Sequence, residues 1–153
     1  MNIEIIPLSY VTCHDSEFNG KPLSLNALIP LYGGIYCGTP NSIDEYCEAV
    51  LEIPQNMIGK GNFFALRAKG DSMIGAGIND GDIVIIKTQN YAENGQIVVA
   101  RIDQDVTLKK YYLLPNERKI LLHPENDEYD DIITERCNIM GIAVKILKNI
   151  EGE

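Results

Sequence analysis

From Phe63 onward the chain is a succession of short runs rich in Ile, Val, Leu and Tyr. They are "FFALRA", "DIVIIK", "QIVVARI", "VTLKKYYLL", "KILLH" and "NIMGIAVKIL". Between them stand "KGDS", "NDGD", "ENG", "DQD", "PNER" and "HPENDEYDD". Runs of β-branched and aromatic residues bounded by Gly, Pro, Asn and Asp are strand and turn signals. Six such runs at close spacing predict a mostly antiparallel β domain, a barrel or a sandwich.

The chain upstream reads differently. Residues 1–28 form an N-terminal arm, partly extended, with one short strand at "IEIIPL". Residues 29–41, "IPLYGGIYCGTPN", carry three Gly and two Pro in a short apolar frame, an extended and turn-rich loop that resists helix formation. In "SIDEYCEAVLEIP", Ser42 stands as N-cap with Glu45 three residues on, and Ile43, Tyr46, Cys47 and Val50 follow at helical spacing. A short helix near 42–51 is expected, although "VLEIP" could equally begin a strand. The β domain then occupies 42–153.

A chain of 153 residues is one ordinary domain, long enough to bury a core without disulfide or metal staples. The net charge of −9 argues against broad binding to a phosphate backbone, which rests on clustered Lys and Arg, so no direct DNA binding is expected. Four cysteines (Cys13, Cys37, Cys47 and Cys137) and two histidines (His14 and His123) offer no zinc-site spacing. Neither metal nor cofactor is expected. No apolar run approaches the length of a membrane span, and the N-terminus lacks the pattern of a secretory signal. The expected compartment is the cytoplasm, with the cysteines as free thiols.

One loop holds the chemistry of interest. "RAKGDSMIGAGINDGDIVII", residues 67–86, seats Ser72 between an acid and a methionine and then leads through Gly-Asp turns into an apolar strand. Asp80 and Asp82 read as turn caps. A serine hydroxyl attacks poorly without an adjacent base. His123 sits in a turn and His14 in the arm, so a Ser-His-Asp triad is weakly supported. The other solution is a Ser-Lys dyad, which needs a lysine kept neutral by burial. "QDVTLKKYYLL" supplies Lys109 and Lys110. Strand alternation puts Lys109 with Thr107 and Tyr111, and Lys110 with Val106, Leu108 and Tyr112. Periodicity favours Lys110 as the inward residue or leaves the choice open.

The blocks "GDSM", "AGINDGDIVII", "ENGQIVVARID", "VTLKK", "LLHPENDEY" and "IMGIAVKIL" resemble, in order and spacing, the LexA/UmuD-type self-cleaving Ser-Lys peptidases. The resemblance covers residues 29–148. It implies a LexA/signal-peptidase-like fold of several coiled antiparallel sheets with a barrel-like part. It places the nucleophile at Ser72 and the general base at Lys109, in a T-x-K element, against the alternation argument. It also implies a scissile bond at Cys37–Gly38, in "GIYCGTP", upstream of the serine. Backbone N–H groups around Asp71 to Met73 would hold the oxyanion, and Met73 lines the cleft or packs in the core.

The same resemblance implies a homodimer whose self-cleavage is stimulated by a RecA-type filament in the SOS response to DNA damage. Two roles follow. Only 36 residues precede Cys37; they contain Pro7, Pro22 and Pro30, and no helix-turn-helix fits them. The short arm and the Cys-Gly pair look UmuD-like, which implies a trimmed form that assists a translesion DNA polymerase. The block "FFALRAKGDSM…ENGQIVVA" looks closer to the catalytic and dimerisation part of a LexA-like repressor, working with a DNA-binding partner. A non-cleaving interaction module is the alternative from another class, and the intact Ser72 and Lys109 argue against it. A membrane signal peptidase shares the serine-lysine logic but calls for a membrane anchor.

Overall fold

The computed structural model describes residues 25–33 and 47–150. Among these, nine strands form one sheet: β1 (Asn26–Tyr32), β2 (Cys47–Pro54), β3 (Phe63–Arg67), β4 (Ile83–Thr88), β5 (Ile97–Ile102), β6 (Asp105–Leu114), β7 (Lys119–His123), β8 (Ile132–Thr134) and β9 (Asn138–Leu147). Their spatial order is β2-β1-β3-β4-β9-β5-β6-β7-β8. Neighbours pair antiparallel except β1 and β3, which run parallel through Leu31↔Ala65 and Tyr32↔Leu66. The expected mostly β fold is therefore present, as a single mixed sheet that does not close into a barrel, in place of the several sheets anticipated. Each of the six runs read from the sequence is a strand.

The central strands are buried on both faces, which is why they read as unbroken apolar runs. Successive side chains of a strand point to opposite faces. On β4, Ile83 and Ile85 join Ile29, Leu31, Leu51, Ile53 and Ala65 in one core. Val84 and Ile86 join Leu66, Met73, Ile78, Val99 and Leu108 in a second. On β5, Val99 belongs to this second core, whereas Val98 and Ala100 pack with Tyr111 and Leu122 in a third.

The helix expected near 42–51 is corrected over its described part. Cys47–Pro54 are β2, paired with β1 from Tyr32↔Cys47 to Asn26↔Pro54. Leu51 and Ile53 are buried and alternate with half-buried Glu52, a period of 2, while Cys47 and Val50 of the helical pattern are exposed. The long-range partner β1 decides the outcome, as tertiary context does for weak local signals. The capping pair Ser42 and Glu45 lies outside the described residues. A single helical turn, α1 (Gln55–Ile58), follows β2. Residues 29–32 of the expected loop belong to β1, and the strand expected at "IEIIPL" lies outside the described residues.

The last described strand, β9, lies between β4 and β5 and pairs with both. Its approach to β4 depends on Gly141. A Cβ there would stand 2.4 Å from the Lys87 carbonyl oxygen and 2.5 Å from Ile86 Cγ2. Both neighbours belong to a buried strand with little room to give. Gly141→Ala is therefore expected to lower stability by about 1–3 kcal/mol, the usual cost of overpacking. The urea unfolding midpoint checks this; an unchanged midpoint would show that β4 and β9 can separate without loss.

Candidate catalytic site

Ser72 lies in the loop between β3 and β4, and the base of that loop is closed by backbone bonds. The Ala68 N–H donates to the Asp82 carbonyl and the Gly81 N–H to the Ala68 carbonyl, each at 2.8 Å. The Gly70 N–H donates to Asp80 Oδ1 at 2.8 Å, and the Asn79 N–H to Asp82 Oδ2 at 2.8 Å. The two aspartates thus cap turns, as their positions suggested. Gly70 has φ 81° and Gly77 φ 83°, left-handed values that favour glycine. Between them, a 3₁₀ turn (Ile74–Ala76) follows the serine directly. Met73 and Ile78 anchor the loop; both are buried, and the Ile78 N–H donates to the Met73 carbonyl at 3.2 Å.

Lys109 comes from β6, which is covered on both faces at this point: Leu108 and Lys109 are adjacent and both buried. Simple alternation could not choose between Lys109 and Lys110 for that reason. Lys110 pairs with Glu125 at 3.1 Å. Lys109 Nζ lies 3.1 Å from Ser72 Oγ, 2.7 Å from Thr107 Oγ1 and 3.1 Å from the Leu108 carbonyl oxygen. Burial lowers the Lys109 pKa, because the ammonium form loses hydration. A neutral amine has two N–H donors and one lone pair. In that form Leu108 and Thr107 can accept both donors, which would leave the lone pair for the Ser72 hydroxyl proton; the ammonium form donates to all three.

Ser72 and Lys109 face a cleft of about 180 Å³ lined also by Ala68, Met73, Ile78, Val106 and Leu108. Met73 thus both lines the cleft and packs in the core. Asp71 is engaged outside it. Its carboxylate accepts the Tyr129 hydroxyl at 2.5 Å, and its carbonyl accepts Asn126 Nδ2 at 2.9 Å. The Gly75 N–H donates to the Glu125 carbonyl at 2.7 Å, and a Cβ on Gly75 would meet that oxygen at 2.6 Å. The segment after β7 is thus docked against the serine loop at three points. Sequence reasoning read this segment as a plain turn and missed Asn126 and Tyr129, although "LLHPENDEY" was among the matching blocks. Their signal lies in long-range contacts, which no local pattern encodes.

Of the sequence-predicted site residues, the fold brings Ser72 and Lys109 together and places Asp71 and Met73 on either side of the serine. Cys37 and Gly38 lie outside the described residues. His123 is bonded through Nδ1 to Asp131 Oδ1 at 2.6 Å and does not line the cleft. Among the described residues, no group of three His, Cys, Asp or Glu side chains could hold a metal ion, and no helix is long and apolar enough to cross a membrane. Cys47 and Cys137 are free thiols.

Residues 30–144 match the family described as Peptidase S24-like. The match covers most of the chain, and the chain belongs to that family. Its relatives include the LexA repressor of Frankia alni, 41% identical over 124 residues, which are 81% of this chain and 48% of the relative. The LexA repressor of Caldicellulosiruptor saccharolyticus is 40% identical over 122 residues, 80% of this chain and 59% of the relative. That of Leifsonia xyli subsp. xyli is 35% identical over 146 residues, 95% of this chain and 64% of the relative. The chain thus spans about half to two thirds of the length of these curated relatives.

A lysine whose pKa is lower in the fold than in the unfolded chain sets the sign of a pH effect. Between the two pKa values the unfolded chain binds more protons than the folded one. Stability therefore rises with pH through that window and is flat below the folded-state pKa. In a Ser72→Ala background, the urea midpoint is expected to gain on that of the Ser72→Ala, Lys109→Met double variant as pH climbs toward the ordinary lysine range. Parallel curves would mean that Lys109 titrates normally.

Proposed function

We propose that the chain is the self-cleaving peptidase domain of a LexA-like regulator, with Ser72 as nucleophile, Lys109 as general base and Cys37–Gly38 as the bond cut. The observation that carries this reading is the buried Lys109 amine, its pKa lowered by desolvation, 3.1 Å from Ser72 Oγ at a cleft. Neutral Lys109 takes the hydroxyl proton as Oγ attacks the Cys37 carbonyl carbon. Backbone N–H groups around Asp71 to Met73 hold the oxyanion. The tetrahedral centre collapses, and the Lys109 ammonium gives its proton to the departing Gly38 amine. Water, deprotonated by Lys109, then attacks the acyl carbon and releases Ser72 and a new carboxylate at Cys37.

Topology supports delivery of that bond. Parallel neighbours leave a sheet at the same end, so the connection from Tyr32 toward β2 begins beside the end of β3, where the Ser72 loop also begins. Five residues from Tyr32 to Cys37 span at most about 18 Å when extended. Tethering raises the effective concentration of the bond, which leaves docking and lysine deprotonation to set the rate.

The relatives favour the repressor role over the polymerase-assisting one, since those described above are named LexA repressor. Loss of repression on cleavage, homodimerisation and stimulation by a RecA-type filament on single-stranded DNA belong to the same proposal.

The test is to incubate the purified chain at rising pH, with and without an activated recombinase filament, and to weigh the products. Fragments ending at Cys37 and beginning at Gly38 are expected, faster as pH rises through the Lys109 pKa. Ser72→Ala should abolish them and Lys109→Ala should slow them by about 10²–10⁴-fold. Intact mass in every condition from a folded chain would refute self-cleavage. A cut at another bond would retain the dyad and discard the site.

A further inference from the structure

The carbonyl that precedes Ser72 accepts two hydrogen bonds, one at 3.3 Å from the Ile74 N–H within the turn and a shorter one from a side-chain amide outside it. Asn126 Nδ2 donates to the Asp71 carbonyl at 2.9 Å. The orientation of that amide is itself fixed, because Asn126 Oδ1 accepts the Glu128 N–H at 3.0 Å. The Asp71 carbonyl and the Ser72 N–H belong to one peptide unit, and in a planar trans peptide they point in opposite directions. Ser72 lines the cleft, whereas Asp71 and Asn126 do not. A carbonyl held on the Asn126 side turns the Ser72 N–H to the cleft side. In acyl transfer at serine, the N–H of the nucleophile itself can serve as an oxyanion donor.

We infer that Asn126 is a positioning residue for the reaction: its amide, adding to the longer bond from the Ile74 N–H, fixes the rotation of the Asp71–Ser72 peptide, so that the Ser72 N–H meets the oxyanion formed when Oγ attacks. This rests on the self-cleavage reading above. No bond forms or breaks at Asn126, which donates the same hydrogen bond throughout. Tyr129 supports the arrangement. A free aspartate side chain readily accepts the backbone N–H two residues on, here that of Met73, a second donor in the turn. The Tyr129 hydroxyl, 2.5 Å from Asp71 Oδ1, draws that carboxylate toward the 126–129 segment. Its hydrogen bond to Asp71, together with the carboxylate charge, raises the Tyr129 pKa, so the phenol remains a donor as the solution becomes alkaline.

The experiment compares Asn126→Asp with Asn126→Ala in the whole chain. Asp keeps the acceptor for the Glu128 N–H but sets a carboxylate oxygen against the Asp71 carbonyl; Ala loses both contacts. A role confined to the 126–128 turn makes Ala the worse variant in thermal stability and in cleavage alike. Positioning reverses the order for cleavage only: Asp is at least as slow as Ala, both fall about 10- to 100-fold below the parent chain, and Asp remains the more stable. Asn126→Ala also keeps the parent pH midpoint, since Lys109 is untouched. Labelling of Ser72 by a fluorophosphonate, whose phosphoryl oxygen would occupy the same place, falls in parallel. Parent rates in both variants, or Ala slower than Asp, overturn the inference while cleavage still depends on Ser72 and Lys109. A parent chain that neither cleaves nor takes the label overturns the underlying reading and this one with it.

Discussion

The site depends on the desolvation of one amine. An exposed lysine is charged at neutral pH and has no lone pair to offer. Lys109 is pushed away from that state, its pKa lowered by burial, because β6 is covered on both faces where it passes the Ser72 loop. The two-sided burial is a property of the whole sheet: β4 and β5 divide their side chains among three apolar cores, and β6 takes part in two of them through Leu108 and Tyr111. Thr107 and the Leu108 carbonyl then satisfy the N–H donors that burial would otherwise leave unpaired. Apolar packing perturbs the amine, and local hydrogen bonds make the perturbation tolerable.

The serine side is solved by other means. Ser72 sits in a short irregular loop, which needs outside support to be rigid. Met73 and Ile78 are driven into the core on either side of the 3₁₀ turn, and Asp80 and Asp82 tie the turns at the loop base. The segment carrying Glu125, Asn126 and Tyr129 closes the back of the loop. The flexible-looking composition of "GDSMIGAGINDGD" therefore describes a loop tied at many points, since its glycines permit tight turns and, at Gly75, close contact.

Much of this was legible in the sequence where burial writes itself into local pattern. All six apolar runs are strands, because period and composition agree there. The region 47–54 misled, since Cys47 and Val50 mimic helical spacing while β1, some 20 residues earlier, provides the pairing that decides. The serine and the lysine were legible only in combination with distant blocks. Alternation failed on Lys109 because it assumes one wet face, and β6 has none at that point. Asn126 and Tyr129 were invisible as individuals, since each acts through a contact more than 50 residues away along the chain.

The place of β9 has a consequence for the order of events in each molecule's life. Ser72 belongs to the side of the sheet built on β3 and β4, and Lys109 to the side built on β5 and β6. β9 is the strand that joins these sides, by pairing with β4 and with β5. A nascent chain extended only as far as residue 137 would already contain the nucleophile, the base and the bond proposed for cleavage. It would lack the strand whose pairing joins the two sides. The reaction proposed for Ser72 would then wait on the last described strand, since β9 carries the pairing that joins the two sides.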